Sequence, residues 1–184
     1  KYTYIFPNGA EFHYFCRVMR LKPPKIVRRL MPDLIWEIDD EDGVFLTFDD
    51  GPTPGVTEWI LSTLDKYDAK ATFFVLGKNV EMYPDLYKRI LDAGHKVGNH
   101  TYSHQKGWGM SLERYTEDVD FANDLIHSEL FRPPYARITP AQARFLGQRY
   151  KLVMWDIISR DYNRRLSPRT CLKTVSYTHL TLPT

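Results

Sequence analysis

An alternation of apolar strand-like segments with helix-like segments, which starts at about residue 43, is the feature that most constrains the fold. A hydroxyl residue is favoured as the N-cap of a helix, and Pro is favoured as its first helical residue. Three of the helix-like segments open in this way, at Thr53-Pro54, Thr139-Pro140 and Ser167-Pro168. Repeated strand–helix units predict an α/β fold, with a parallel sheet and helices outside it. The predicted strands are 44–48, 71–76, 95–99, 130–132 and 152–155.

The first predicted strand, 44–48, reads as a buried segment and ends in two adjacent carboxylates, Asp49 and Asp50. In parallel sheets of this kind, ligands bind at the carboxyl ends of the strands. Adjacent residues that leave a strand point to opposite sides, so the two carboxylates can take different roles in one site. Because like charges repel, we expect a cationic partner nearby. A solvated turn is the alternative for this stretch taken alone.

Two histidines follow the third predicted strand in the stretch NHTYSH, residues 99–104. His100 and His104 are four residues apart, and in a helical turn they would share one face. Two imidazoles and the carboxylate of Asp50 suit a divalent metal with open coordination positions. Such an ion also offsets the charge of the paired carboxylates. Scattered surface histidines are the alternative for this pair taken alone.

Two further clusters follow the last two predicted strands. The stretch FRPPYAR, residues 131–137, contains Arg132 and Tyr135 and is, by itself, typical of a stiff Pro-Pro turn. The stretch MWDIISRDY, residues 154–162, contains Trp155, Asp161 and Tyr162. Because the carboxyl ends of parallel strands meet at one edge of the sheet, we expect all four clusters at the same rim.

The chain resembles the NodB-homology polysaccharide deacetylases, carbohydrate esterase family 4, in four motifs that occur in the family's order and spacing: TFDDGPTP, NHTYSH, FRPPYAR and WDIISRDY. The resemblance covers roughly residues 43–174 and is specific because it rests on four motifs together. It implies a distorted (β/α) barrel, an α/β fold. It also implies a metal-dependent hydrolase that removes N-acetyl groups from an acetylated polysaccharide or oligosaccharide, such as chitin or peptidoglycan.

The resemblance implies roles for the residues of the first three motifs. Asp49 matches the general base of the family, and Arg132 matches the arginine that holds this base in place. The metal ligands of the family are matched by Asp50, His100 and His104. The expected metal is Zn²⁺, with Co²⁺ or another transition metal as the alternative.

Four further residues complete the implied site. The backbone N–H of Tyr135 matches the donor to the oxyanion, and Asp161 matches the aspartate paired with the arginine. Trp155 and Tyr162 are expected on the substrate side, where Tyr162 replaces the family's usual Trp on the wall of the acetyl pocket. Ala136 replaces a common Gly, so a positive φ at this position would strain the backbone.

Composition and charge restrict the partners. The net charge is +2, which does not favour a nucleic-acid surface. No apolar run is long enough to span a bilayer. The resemblance implies an N-acetylated glycan as the partner, and we expect no nucleic acid, no integral membrane segment and a monomeric chain. Since residue 1 is Lys and not Met, the sequence leaves localisation undecided.

Both ends of the chain are set apart from the expected deacetylase domain at 43–174. Residues 1–42 form an expected N-terminal arm, of which 1–18 are either native or upstream read-through before Met19. Residues 175–184 read VSYTHLTLPT, and the first six match a translated transposase adapter, so we expect a tail that is not native. On that expectation the barrel is incomplete at its C-terminal end and lacks the family's general acid, which His179 does not replace.

Two other functions fit parts of the sequence. A catalytically inactive relative that binds carbohydrate would fit a chain without the general acid. A phosphatase-like hydrolase would use an Asp nucleophile in FDDG, but such sites usually need Asp-x-Asp, which puts two carboxylates on one side of a strand. The adjacent carboxylates and the two histidines disfavour the phosphatase interpretation.

Overall fold

A computed structural model describes residue 29, residues 31–38 and residues 44–179, with side chains described up to residue 175. Most of the expected arm at 1–42, including all of 1–18, and the end of the expected tail at 180–184 lie outside the described residues. The strands are β1 (Leu34–Ile35), β2 (Thr47–Gly51), β3 (Thr72–Val75), β4 (Lys96–Asn99), β5 (Leu130–Phe131) and β6 (Lys151–Val153). The helices are α1 (Val56–Lys66), α2 (Gly77–Met82), α3 (Pro84–Asp92), α4 (Leu112–Ile126), α5 (Pro140–Leu146) and α6 (Pro168–His179), and a 3₁₀ turn covers Pro134–Ala136.

The described strands form one six-stranded sheet in the order β1-β6-β5-β4-β3-β2. Every neighbouring pair is parallel, which confirms the α/β prediction. Parallel strands joined by helices all end at the same edge of the sheet, so the polar clusters that follow β2, β4, β5 and β6 lie on one rim. Within the described range, β1 and β2 are the two edge strands.

Helix α4 joins two hydrophobic clusters into one layer against the sheet. Its first half buries Tyr115 and Val119 in a cluster with β5, β6 and α5. Its second half buries Ala122 and Ile126 in a cluster with α1, β3 and α3. This stripe has the helical spacing that the sequence predicts, and all four side chains are almost fully buried. The helix is therefore a fixed support beside the carboxyl end of β4.

Two of the predicted helix caps are confirmed and one is wrong. Thr139 forms a capping box at the start of α5, and Ser167 Oγ accepts a hydrogen bond from the N–H of Thr170 at the start of α6. The Thr53-Pro54 pair does not open α1, which begins at Val56 after Gly55. The N–H of Thr53 instead donates to Thr57 Oγ1, so the hydroxyl group of Thr57 closes the turn that precedes the helix.

Three other features differ from the sequence-based expectation. Strand β2 is not buried: its residues are half-buried or exposed, because within the described range it pairs only with β3. The short elements β1 and α2 were not predicted, since two and six residues are too few to show a period. Helix α5 ends at Leu146 and not near residue 150. No helix among the described residues is both long and apolar enough to cross a membrane.

Gly98 in β4 gives a test of how tightly the strands and the rim are packed. A Cβ at this position would lie 2.5 Å from the ring of Phe74, and that ring in turn lies 4.0 Å from the guanidinium of Arg132. We expect Gly98→Ala to lower the free energy of unfolding by about 1–3 kcal/mol, because the added methyl group overpacks the sheet. Urea unfolding measures the loss, and the exposed Lys96→Ala on the same strand is the control. Equal stability of both variants would contradict this packing.

Candidate metal centre and active site

The first site element is a bulge at the carboxyl end of β2. Asp49 pairs with Phe74 and Gly51 pairs with Val75, so Asp50 is an extra residue between two adjacent pairs. A bulge redirects the side chain of the extra residue. The two carboxylates consequently meet different partners: Asp49 contacts Arg132, and Asp50 contacts two histidines. The predicted division of one site into two carboxylate roles is consistent with this geometry.

Hydrogen bonds from helix α2 and from its N-cap residue stabilise the bulge. Asp50 has a φ of 69°, in the left-handed region that few non-glycine residues adopt. Asn79 Nδ2 donates a hydrogen bond to the carbonyl oxygen of Asp50 at 2.8 Å, and the N–H of Leu76 donates to the carbonyl of Gly51 at 2.9 Å. No sequence pattern points to Asn79, because the six-residue helix that carries it is too short to show a period.

Asp50, His100 and His104 come together as a three-residue cluster. Asp50 Oδ1 lies 3.5 Å from His100 Nε2 and 3.1 Å from His104 Nε2. The His100 side chain is 3% exposed, that of His104 is 23% exposed, and that of Asp50 is 61% exposed. The cluster is therefore closed on the His100 side and open to solvent on the Asp50 side, where a substrate can approach.

The sequence-based interpretation placed the two histidines in a helical turn, but neither lies on a helix in the structure. They lie in the loop that follows β4, where Thr101 and His104 have φ values of 68° and 59°. His100 Nδ1 is 2.6 Å from the carbonyl oxygen of Arg132. A carbonyl can only accept, so Nδ1 of His100 carries a proton, and Nε2 is the ring nitrogen that faces Asp50.

The Nδ1 nitrogen of His104, like that of His100, has a hydrogen-bond partner outside the cluster. Its Nδ1 lies 3.1 Å from the hydroxyl oxygen of Tyr135, and the two rings pack with centroids 4.6 Å apart. This contact leaves His104 Nε2 as the nitrogen that faces Asp50. Outer hydrogen bonds of this kind orient imidazole ligands and select the tautomer that binds a metal.

The cluster fits a divalent metal. The three candidate ligand atoms all lie within 4.8 Å of one another. Tetrahedral Zn²⁺ with bonds of about 2.0–2.1 Å needs ligand atoms about 3.3 Å apart, and the measured 3.1 and 3.5 Å bracket that separation. Hydrogen bonds from His100 and then His104 hold the pKa of Asp50 well below its usual range, so it is an anionic ligand.

Asp49 is fixed by a buried arginine. Arg132 Nη1 donates to Asp49 Oδ1 at 2.7 Å and to Thr47 Oγ1 at 2.8 Å. The remaining donors of the same guanidinium reach the carbonyls of Val153 at 3.1 Å and Met154 at 2.7 Å. Arg132 is 2% exposed, and burial lowers its pKa while Asp49 raises it. An arginine remains charged in proteins, so it keeps Asp49 oriented as a carboxylate.

The fourth motif contributes less to the site than the resemblance implies. Asp161 is exposed and accepts a hydrogen bond from Ser159 Oγ at 2.6 Å; among the described contacts of Arg132, none is to Asp161. Trp155 is half-buried, with its ring centroid 5.9 Å from the Arg132 guanidinium. Tyr162 is 71% exposed. Of these residues, only Trp155 is brought beside a residue of the site.

The 3₁₀ turn after β5 carries two non-glycine residues in the left-handed region. Tyr135 has a φ of 59° and Ala136 has a φ of 54°. The sequence-based concern about Ala136 is therefore confirmed, because a glycine would adopt this conformation without a steric cost. The turn places the hydroxyl of Tyr135 against His104.

Comparisons with known proteins agree with the motifs. Residues 37–151 match the sequence profile of the family described as "Polysaccharide deacetylase". The chain is 38% identical over 132 residues to a peptidoglycan-N-acetylglucosamine deacetylase of Bacillus cereus, covering 65% of this chain and 46% of that protein. It is 35% identical over 129 residues to a chitooligosaccharide deacetylase of Rhizobium leguminosarum bv. trifolii, covering 70% of this chain and 56% of that protein.

A solved structure shows the same arrangement of elements. The peptidoglycan deacetylase PdaC of Bacillus subtilis superposes with a TM-score of 0.68 at 34% identity, covering 72% of this chain and 67% of that one. The chain spans about half the length of the two curated relatives named above. The family match covers the first three motifs and strands β2 to β5, while the activity of the whole protein is a separate question.

Replacing Arg132 with Lys tests the buried guanidinium. Lysine keeps the charge but cannot serve four separated acceptors, so we expect Arg132→Lys to lower the free energy of unfolding by about 2–3 kcal/mol. The matched control is Arg149→Lys, which alters an exposed pair with Asp120 at 3.0 Å and should change stability by less than about 0.5 kcal/mol. Chemical denaturation measures both. A similar effect of the two substitutions would argue against a special role for the buried arginine.

Replacing Ala136 with Gly tests the strain in the turn. We expect Ala136→Gly to raise the free energy of unfolding by about 0.5–1 kcal/mol, because glycine adopts a positive φ readily. The same substitution at Ala143, inside helix α5, should lower it by about 1 kcal/mol. Thermal unfolding compares the two. A loss of stability in both variants would show that the turn does not strain Ala136.

Proposed function

The chain belongs to the polysaccharide deacetylase family, and we propose that it is a metal-dependent hydrolase that removes N-acetyl groups from an acetylated glycan. The single observation that carries this proposal is the juxtaposition of Asp50 with both histidines, beside an Asp49 that a buried arginine holds. Together these residues offer a metal site and an adjacent base, which are two of the parts that hydrolysis of an unactivated amide needs; the third is an acid that protonates the departing amine.

Asp50, His100 and His104 would hold the metal. Two imidazole nitrogens and one carboxylate oxygen at these separations suit Zn²⁺, and Co²⁺ accepts the same ligands. When bound, a divalent metal supplies Lewis acidity, which polarises the amide carbonyl and makes water more acidic. The chain contributes the orientation of the ligands, through the Arg132 carbonyl at His100 and the Tyr135 hydroxyl at His104.

Asp49 is the proposed general base. Its Oδ1 is held by Arg132 Nη1, which leaves the other carboxylate oxygen to accept a proton from the attacking water. Because its side chain is 31% exposed, Asp49 is accessible from the open side of the site.

The turn after β5 supplies the proposed oxyanion donor. We assign this role to the backbone N–H of Tyr135, whose left-handed conformation and contact with His104 fix the peptide beside the metal ligands. Loss of one such donor costs about 3 kcal/mol of transition-state stabilisation in comparable sites. Trp155, Tyr162 and Asp161 remain proposed contributors on the substrate side, and the contact of Trp155 with Arg132 supports the first of them.

The proposed substrate is an N-acetylated polysaccharide or oligosaccharide. Relatives of this chain carry the names peptidoglycan-N-acetylglucosamine deacetylase and chitooligosaccharide deacetylase, which supports the class of substrate and not one glycan. The phosphatase-like alternative needs two carboxylates on one side of the strand. Here Asp49 is bound by Arg132 and Asp50 faces the histidines, so that arrangement is absent from the described site.

Acetate release tests the proposal. The purified chain is stripped of metal with a chelator, reloaded with Zn²⁺ or Co²⁺, and incubated with N-acetylglucosamine oligomers or with peptidoglycan. We expect metal-dependent acetate release that is slower than in a relative with the family's general acid, because water must protonate the departing amine in its place. Asp49→Asn should lower kcat by about 10²–10⁴-fold because the base is lost, while the bound metal, measured by elemental analysis, stays at one equivalent. His104→Ala should lose both the metal and the activity.

Two outcomes would contradict the proposed function. Full activity of Asp49→Asn would remove the assigned base. Binding of the oligomers without acetate release from the metal-loaded chain would favour the inactive carbohydrate-binding alternative. Asp120→Asn is the matched control, because Asp120 lies on α4 and pairs with Arg149 away from the metal ligands.

A further inference from the structure

The carboxylate of Asp118 on helix α4 accepts three hydrogen bonds from the loop that carries His104. Asp118 Oδ2 accepts hydrogen bonds from the backbone N–H groups of Tyr102 at 3.1 Å and Ser103 at 3.2 Å. Asp118 Oδ1 accepts a third from Ser103 Oγ at 2.6 Å. The anchored residues immediately precede His104 in the chain, so the position of this ligand depends on where the carboxylate holds the loop.

The loop requires such an anchor because it contains no regular hydrogen bonding of its own. It leaves β4 after Asn99 and turns twice through the left-handed region, at Thr101 and His104. Non-glycine residues in this region are strained and persist only where their surroundings fix them. The N–H of Tyr102 also donates to the backbone carbonyl of Asp118 at 3.2 Å, whereas the N–H of Ser103 is bound by the Asp118 carboxylate alone among the described hydrogen bonds.

The start of the loop is fixed independently. Asn99 Nδ2 donates to the carbonyl of Val119 at 2.8 Å, and Asn99 Oδ1 accepts from the N–H of Thr101 at 2.8 Å. His100 is held by the Arg132 carbonyl. Asp118 therefore acts on the far part of the loop, and its loss would displace His104 while leaving His100 in place.

We propose that Asp118 is a positioning residue that fixes His104 for metal binding. The inference rests on the proposed metal-dependent function and adds a residue that lies outside all four motifs. Helix α4 is a suitable support, because Tyr115, Val119 and Ala122 on its inner face are fully buried. Hydrogen bonds to a carboxylate on a rigid helix fix the loop backbone relative to that helix, and with it the position of His104.

Metal affinity of the purified full chain tests this inference. Zn²⁺ is titrated against a chromophoric chelator, and Co²⁺ is titrated by its visible absorption. We expect Asp118→Ala to weaken Zn²⁺ binding by about 10–100-fold, as loss of an outer hydrogen-bond partner of a ligand does elsewhere. Its Co²⁺ spectrum should change, because one of the two imidazoles is misplaced.

Three further variants separate positioning from general effects. Asp118→Asn should keep most of the affinity, because its amide oxygen can accept both backbone N–H groups and its NH₂ can donate to Ser103 Oγ. Ser103→Ala removes only one of the three hydrogen bonds and should give a smaller loss than Asp118→Ala, even if the latter folds poorly. Asp120→Ala, on the same helix, should bind Zn²⁺ like the unaltered chain.

Each remaining outcome would overturn the inference. Unchanged Zn²⁺ affinity and Co²⁺ spectrum in Asp118→Ala would show that the loop does not need the carboxylate. Equal losses in Asp118→Asn and Asp118→Ala would assign the effect to negative charge near the cation. Equal losses in Asp118→Ala and Asp120→Ala would assign it to helix stability. If the unaltered chain binds no metal, both this inference and the proposed function fail.

Discussion

The buried guanidinium of Arg132 is the interaction on which the rest of the site depends. Burying a charge costs several kcal/mol unless it is paired and its donors are satisfied. Here it is satisfied by two side chains of β2 and by two carbonyls at the end of β6. The backbone of the same residue bonds to Asn99 and to His100. One residue thus ties three strand ends together and orients both the proposed base and a metal ligand.

Backbone strain is concentrated around the same site. Five of the eight non-glycine residues with positive φ in the described range belong to the loops that carry the site: Asp50, Thr101, His104, Tyr135 and Ala136. Such conformations persist where surrounding contacts fix them. Side chains on α2 and α4 provide those contacts, through Asn79 at the bulge and Asp118 at the histidine loop. The helices next to the rim therefore hold the loops in addition to covering the sheet.

The site combines a closed side with an open side, and this contrast suits its proposed chemistry. His100 and Arg132 are buried, which strengthens their electrostatic interactions and excludes competing water. Asp50 is largely exposed and Asp49 partly so, which leaves room for a polymer to reach the carboxylates from solvent. A glycan chain is too large to enter an enclosed cavity, so a ligand cluster at an accessible rim is the arrangement that such a substrate requires.

Local sequence patterns were enough to predict the α/β class, two helix caps and the residue types of the candidate metal cluster. These features depend on local periodicity and on neighbours three or four positions apart. Tertiary structure alone decided the bulge at Asp50, the non-helical histidine loop, the exposure of β2 and the separation of Asp161 from Arg132. These depend on contacts between distant segments: Arg132 and Asp49 are 83 positions apart in sequence, and no local pattern encodes such a pairing.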